Sequence, residues 1–202
     1  MGNRHSRTAT RSGDHGQTSI GAGTRVDKDS PPIETLGAID ELNAWIGVLV
    51  ALSSSERVRG ALSLVQHDLF DLGGQIISPG TPLLSEAHVA RIEENLVQMN
   101  AELGRPEGAI LPGGASSSAF GHLARAICRR AERQLFHLIE IERVTGLCRP
   151  NVDVEPPENY GLSYLNRLSD LLFATSRLEN VAGGRVDVSW EQGKSLSGRI
   201  TA

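Results

Sequence analysis

The chain has 202 residues, 39% of them hydrophobic, with 22 glycines but only 4% aromatic residues. That length suits one domain with a single sizeable core, and the shortage of rings argues against an all-β sandwich and against a base-stacking nucleic-acid platform. Lys and Arg number 20 against 24 Asp and Glu, a net charge of −4, so no global basic field exists for DNA or an anionic membrane and any anion site is local.

Residues 1 to about 32 are rich in Gly, Ser, Thr, Asp and Arg and lack apolar periodicity, so they read as loop. Behind Pro31-Pro32, the series Leu36, Ile39, Leu42, Ile46 and Leu49 predicts a helix over roughly 33–52. Val58, Leu62, Val65, Leu69 and Leu72 predict a second, ending near Pro79-Gly80. Ser85 is a plausible N-cap for a third, carrying Val89, Ile92, Leu96, Met99 and Leu103 and stopping at Gly104. A turn-rich connector over 104–116 leads to a fourth helix with Phe120, Leu123, Ile127, Leu135 and Leu138. The proline-containing stretch 144–158 reads as loop, and Leu162, Leu165, Leu168 and Leu172 mark a fifth helix. The expected fold class is all-α, a five-helix bundle, with a flexible extension over 1–9, the bundle and its N-terminal loop over 10–182, and a polar, mobile tail over 183–202.

Two cysteines, Cys128 and Cys148, make neither a disulfide framework nor a CxxC knuckle, and the reducing cytoplasm is the expected compartment. No run of 18 apolar residues is present and the N-terminus lacks an apolar signal region, so no membrane association is expected.

Three segments can carry chemistry. The first is Thr10-Arg11-Ser12-Gly13-Asp14-His15-Gly16-Gln17-Thr18-Ser19 followed by Lys28, where glycines, hydroxyls and a point charge suit an anion, although no Walker A spacing follows. A flexible polar N-terminus explains the same residues. The second is the run 125–133, in which Arg125, Arg129, Glu132 and Arg133 share one helix face. That face is either a solvated charged surface or a forked cationic surface for polyphosphate. The third is Asn166, a poor mid-helix residue that needs a hydrogen-bonding reason to be there, as a link between helices or as a ligand contact. His67 and His122 lack a second ligand at metal spacing, Cys128 reads as an inert buried thiol, and Ser116-Ser117-Ser118 as helix-entry capping.

Taken together these pieces resemble the PduO-type ATP:cob(I)alamin adenosyltransferases. The resemblance runs from about 10 to 180, through TRSGDHGQTS at 10–19, Lys28, AIDELNAWIG at 38–47, VQHDLFDLG at 65–73, ILPGG at 110–114, RAICRRAER at 125–133 and YLNRLSDLLF at 164–173. It implies a homotrimer with ATP at subunit interfaces and cobalamin close by. The implied reaction moves the 5′-deoxyadenosyl group of ATP to Co(I), releasing triphosphate, with Mg²⁺ sharing the phosphate charge. Thr10, Arg11, Ser12, Gly13, Thr18, Ser19 and Lys28 then resemble the ATP loop. Arg129, Arg130, Ala131, Glu132 and Arg133 resemble the ATP-contacting cluster, and Asn166 the ribose or base contact. Lys28, Arg129 and Arg133 would act on phosphate and Glu132 on magnesium. Asp40 and Arg125 resemble an ion pair across subunits on the cobalamin side.

One departure stands out: the aromatic that the family commonly places before LPGG, under the corrin, is Ala109 here. Phe173, Trp190 or the tail would have to fill its place. This leaves open a relative that adenosylates another acceptor, or a nucleotide-sensing or cofactor-delivery protein. A reductase or an adenosylcobalamin-dependent enzyme is the expected protein partner.

Overall fold

Prolines 31 and 32 occupy the first turn of α1 (Pro31–Leu52), where a missing N–H is no loss and a fixed φ is already helical. The computed structural model describes residues 11–145 and 160–197, apart from 22, 79 and 107. The chain continues through α2 (Glu56–Ile77), α3 (Glu86–Leu103), α4 (Ser116–Thr145) and α5 (Tyr160–Ala182), with a single helical turn, α6, at Lys194–Ser197. The helix starts follow local chemistry. Ser55 Oγ accepts the Val58 N–H at the head of α2, and Ser85 and His88 close a reciprocal capping box at the head of α3. Gly104, at φ 67°, ends α3 where the sequence places its stop.

The described chain is mostly helical. α4 lies against both α1 and α5, α1 also against α2, and α5 against α3. Leu42, Ile46 and Leu49 of α1, Leu62, Val65 and Leu69 of α2 and Leu165, Leu168 and Leu172 of α5 meet in one core. Each contributes about 1.5–3 kcal/mol by leaving water. Tyr164 is fully buried, and its hydroxyl donates to Asp68 Oδ2 at 2.5 Å. Arg91 donates to the same carboxylate, so α2, α3 and α5 share one buried polar link. Burial and the Asp68 charge push the Tyr164 hydroxyl far above its ordinary pKa, which keeps it a donor.

By length and composition α1 is, among the described residues, the one helix able to cross a bilayer, a property that the absence of an 18-residue apolar run does not exclude. Its Thr35, Ala38, Ile39, Leu42, Asn43, Ile46 and Leu49 are buried within the fold. That is how the core helix of a globular domain also behaves.

Two stretches differ from expectation. The N-terminal segment is not loop throughout: β1 (Gln17–Ile20) and β2 (Thr24–Asp27) pair antiparallel, with Thr18 opposite Val26. Gly21 and Gly23 turn the chain with φ of 55° and 99°. Strands of four residues with mostly exposed side chains leave too little apolar alternation to be legible. The segment after α5, expected to be mobile, folds back along the connector before α4, Ile110 facing Ser189 in an antiparallel bridge.

Candidate active site

On α4, Glu132, Arg125, Arg129, Arg133 and Arg130 follow one another around the axis, about 160° separating Glu132 from Arg130 at 100° per residue. Arg129 and Arg133 are exposed in the middle of this arc. Among the described residues neither makes an ion pair. The two flanks are tied to neighbouring helices. Arg130 pairs with Glu41 of α1. On the other side Glu132 Oε1 accepts from Asn166 Nδ2 at 3.0 Å, and Asn166 Oδ1 accepts from Arg167, which itself pairs with Glu93 of α3. Asn166 therefore has its hydrogen-bonding reason, a link from α5 to α4. Ala131 differs from its neighbours in the run: it is fully buried in the core, because its position on the wheel points away from the arginine face.

The hairpin brings its loop to the Arg130 flank. Lys28 donates its N–H to Gly16 O at 2.9 Å, and a Cβ on Gly13 would come within 3.1 Å of Lys28 Nζ, so the ammonium lies against the Gly13 backbone. Arg25, which sequence reasoning passed over, holds the loop from the far strand by donating to Ser12 O at 2.7 Å and Gln17 O at 3.2 Å. Arg11 has φ 56°, a left-handed conformation that sharpens the turn. Thr18 is half-buried in β1 and Ser19 exposed beside it. Thr10 lies outside the described residues. A cavity of about 460 Å³ opens between Lys28, Glu34, Gly37, Ala38, Glu41 and Arg130. Its size is that of a small-molecule site, and the small residues Gly37 and Ala38 leave the room.

Near the head of α4 a second group gathers. The Arg125 guanidinium lies over the Phe173 ring at 5.8 Å, and His122 meets the same ring edge-on at 6.0 Å. His122 is buried, and neither of its ring nitrogens has a partner among the described residues. Burial and the neighbouring Arg125 charge lower its pKa against the opposing pull of Asp187, so the ring is neutral at neutral pH. Asp40 is exposed on α1, and no hydrogen bond or ion pair joins it to Arg125 among the described residues of the one chain. Cys128 is inert: burial raises its pKa far out of reach, and its thiol donates to Leu165 O at 3.2 Å.

No three His, Cys, Asp or Glu side chains come together as a metal site among the described residues. Glu132 is the carboxylate on the arginine face, and a single carboxylate fits magnesium, which is bound through phosphates, water and one or two acidic side chains. The arrangement holds donors and cations suited to a polyphosphate and, among the described residues, pairs no base with a nucleophile.

The comparisons agree on what such a chain is related to. The family model for cobalamin adenosyltransferase matches residues 8–179. A cobalamin adenosyltransferase of Cupriavidus metallidurans is 46% identical over 193 residues, covering 95% of this chain and 98% of that protein. The corrinoid adenosyltransferase of Bacillus subtilis is 37% identical, covering 91% of each. Among solved structures, a phenylalanine-to-alanine variant of the PduO-type ATP:corrinoid adenosyltransferase from Lactobacillus reuteri, complexed with cobalamin and ATP, superposes with a TM-score of 0.80 at 29% identity, covering 92% of this chain and all of the other. An arginine-to-lysine variant of the same enzyme complexed with ATP gives 0.76 at 29% identity over 91% of this chain and 99% of the other. With the family model spanning most of the chain and a relative 46% identical over 95% of it, the chain belongs to the cobalamin adenosyltransferase family.

Proposed function

We propose that the protein transfers the 5′-deoxyadenosyl group of ATP to the Co(I) of a reduced corrinoid, giving the adenosylated corrinoid and triphosphate. The observation that carries this reading is the arc of α4, with Arg129 and Arg133 exposed and, among the described residues, without an ion pair, between a Lys28–Arg130 cavity and a Glu132–Asn166 link. The reduced corrinoid's Co(I) gives its electron pair to C5′ to form the Co–C bond as the C5′–O bond breaks, and the pair of that broken bond leaves on the triphosphate oxygen. No proton moves at carbon, so a general base is unnecessary. The chain must hold C5′ in line with cobalt and take up the negative charge of the leaving group. Lys28, Arg129 and Arg133 do the second. Magnesium, when bound at Glu132 and the phosphates, supplies further charge neutralisation there.

Arg130 and the Glu132–Asn166 pair sit on opposite flanks of one helix, and a nucleotide lying between Lys28 and Arg130 is turned away from Asn166. A second copy of the chain, offering its hairpin to the Glu132 flank of the first, completes the site, and this supports a homotrimer with ATP at the interfaces. The same arrangement would carry Asp40 to a neighbour's Arg125. Ala109 does not argue against a corrinoid, since its carbonyl accepts the Trp190 N–H at 2.7 Å and so has an indole-bearing residue beside the missing ring.

The direct test supplies ATP, Mg²⁺ and cobalamin under strong reduction and follows triphosphate release together with the adenosylcobalamin spectrum. Intact ATP binding with neither product would reject the corrinoid as acceptor.

A further inference from the structure

Past α5 the chain turns at Gly183-Gly184 and runs back beside the connector that precedes α4. Leu111 N–H donates to Val188 O at 2.8 Å and Trp190 N–H to Ala109 O at 2.7 Å. Two such bonds do not hold a short strand pair in water. Asp187 supplies the rest. Its Oδ2 accepts from Arg177 Nε at 2.7 Å and its Oδ1 from Asn180 Nδ2 at 3.0 Å. Both donors are built into the end of α5. Arg177, its side chain 9% exposed, also donates to the carbonyls of Gly104 and Leu103, and Asn180 Oδ1 accepts the Ala115 N–H at 2.9 Å. One carboxylate thus ties the tail to the end of α3 and the start of α4 together. Burial acts to raise the Asp187 pKa, but the bonds from Arg177 and Asn180 and the Arg177 charge outweigh it and leave the group below the usual carboxylate range.

The strand held in this way displays large apolar side chains. Val186, Val188 and Trp190 are 84%, 53% and 56% exposed, and Leu111 beside them 44%. Leu111, Val186 and Val188 line a cavity of about 230 Å³ with Pro112, Gly114 and Asn180, among others, and no charged side chain lines it. Grouped apolar exposure of this kind marks a binding surface. Its neutrality is wrong for a triphosphate, which the Lys28–Arg130 cavity suits. It is right for a flat apolar macrocycle with a rim of uncharged amides.

We propose that Asp187 is a positioning residue for the corrinoid, latching residues 186–190 against 109–111 before the substrate arrives so that Val188 and Trp190 already stand where the ring docks. This rests on the corrinoid reading given above. The latch does not touch the reacting atoms. It spares the substrate the cost of ordering five residues on binding.

The test uses the full chain in a Trp45→Phe background, which leaves Trp190 as the sole indole. Binding of cob(II)alamin with saturating ATP is read by quenching of Trp190 and needs no turnover. Asp187→Ala raises the corrinoid Kd and KM tenfold or more with the KM for ATP within twofold, and Asp187→Asn, which keeps a single acceptor for Arg177 and sets an NH2 against Asn180 Nδ2, restores only part of the affinity. Amide exchange at Leu111 and Trp190 in the substrate-free protein is slow in the parent and fast in Asp187→Ala. Unchanged corrinoid Kd in Asp187→Ala overturns the proposal, as does an equal rise for ATP and corrinoid. So does a change of oligomeric state in Trp190→Ala with the KM for the corrinoid intact, which would give the edge to a second copy of the chain. Normal quenching by cob(II)alamin without any turnover of the parent protein rejects adenosyl transfer and leaves the latch standing.

Discussion

The arginine face of α4 and the loop–tail junction at its head are built on opposite plans. On the face, Arg129 and Arg133 are exposed and make no ion pair among the described residues, and Lys28 rests against a glycine backbone, so these cations are available to an anion. At the junction, both oxygens of Asp187 and both ends of the Asn180 amide are used by groups of the chain itself, which tie the segment down. The two plans match the two ligands of the proposed reaction. A triphosphate brings enough charge to order flexible side chains around it, whereas a neutral ring gains only apolar contact and needs a surface made in advance.

The sharpest way to break this comparison is to remove the free cations. Arg133→Ala or Lys28→Ala should lower kcat/KM about 10²–10³-fold, as loss of one transition-state donor does, while leaving the denaturation midpoint nearly unmoved because both side chains are exposed. A large loss of stability instead would show that these cations are structural. Gly114→Ala probes the closed side. The new Cβ would fall 2.0 Å from Asn180 Oδ1 at a φ of 98°, so the Asn180 amide must move and drop Ala115 or Asp187. We expect about 2 kcal/mol of destabilisation, read by urea unfolding.

Smaller effects sharpen the contrast. Arg25→Ala frees the carbonyls of Ser12 and Gln17 and should raise the KM for ATP several-fold with little change for the corrinoid, measured by varying each substrate in turn. The smallest effect is a pH dependence. The His122 imidazole has its pKa lowered in the folded chain, so as pH falls below its ordinary value near 6.5 the unfolded state takes up the proton first and stability declines. Thermal unfolding at pH 5.5 and 7.5 should show this decline in the parent protein and a weaker one in His122→Gln. An equal slope in both would remove His122 from the account.

Much of this was legible in the residues. Apolar steps of three and four marked each long helix, and Ser85 and Gly104 bounded α3, because amphipathic spacing and caps act locally. The alignment of Arg125, Arg129, Glu132 and Arg133 was legible for the same reason, and so was Lys28, by its place behind a glycine-rich loop. The hairpin was not, since Gln17–Ile20 and Thr24–Asp27 are short and mostly exposed. Nor was Ala131 separable from its neighbours in RRAER until its burial was known, since motif membership says nothing about which side of a helix a residue faces.

The sequence by itself determined the helical architecture, the kind of ligand the charged residues favour and the family to which the chain belongs, because composition, period and motif order are properties of the chain alone. Only the tertiary structure decided which charges stay free, that Arg130 is committed to Glu41 and Glu132 to Asn166, and that the tail returns to Ala109. Those outcomes depend on pairs far apart in sequence, such as Ala109 with Trp190, and nothing in the local pattern of either partner records the distance between them.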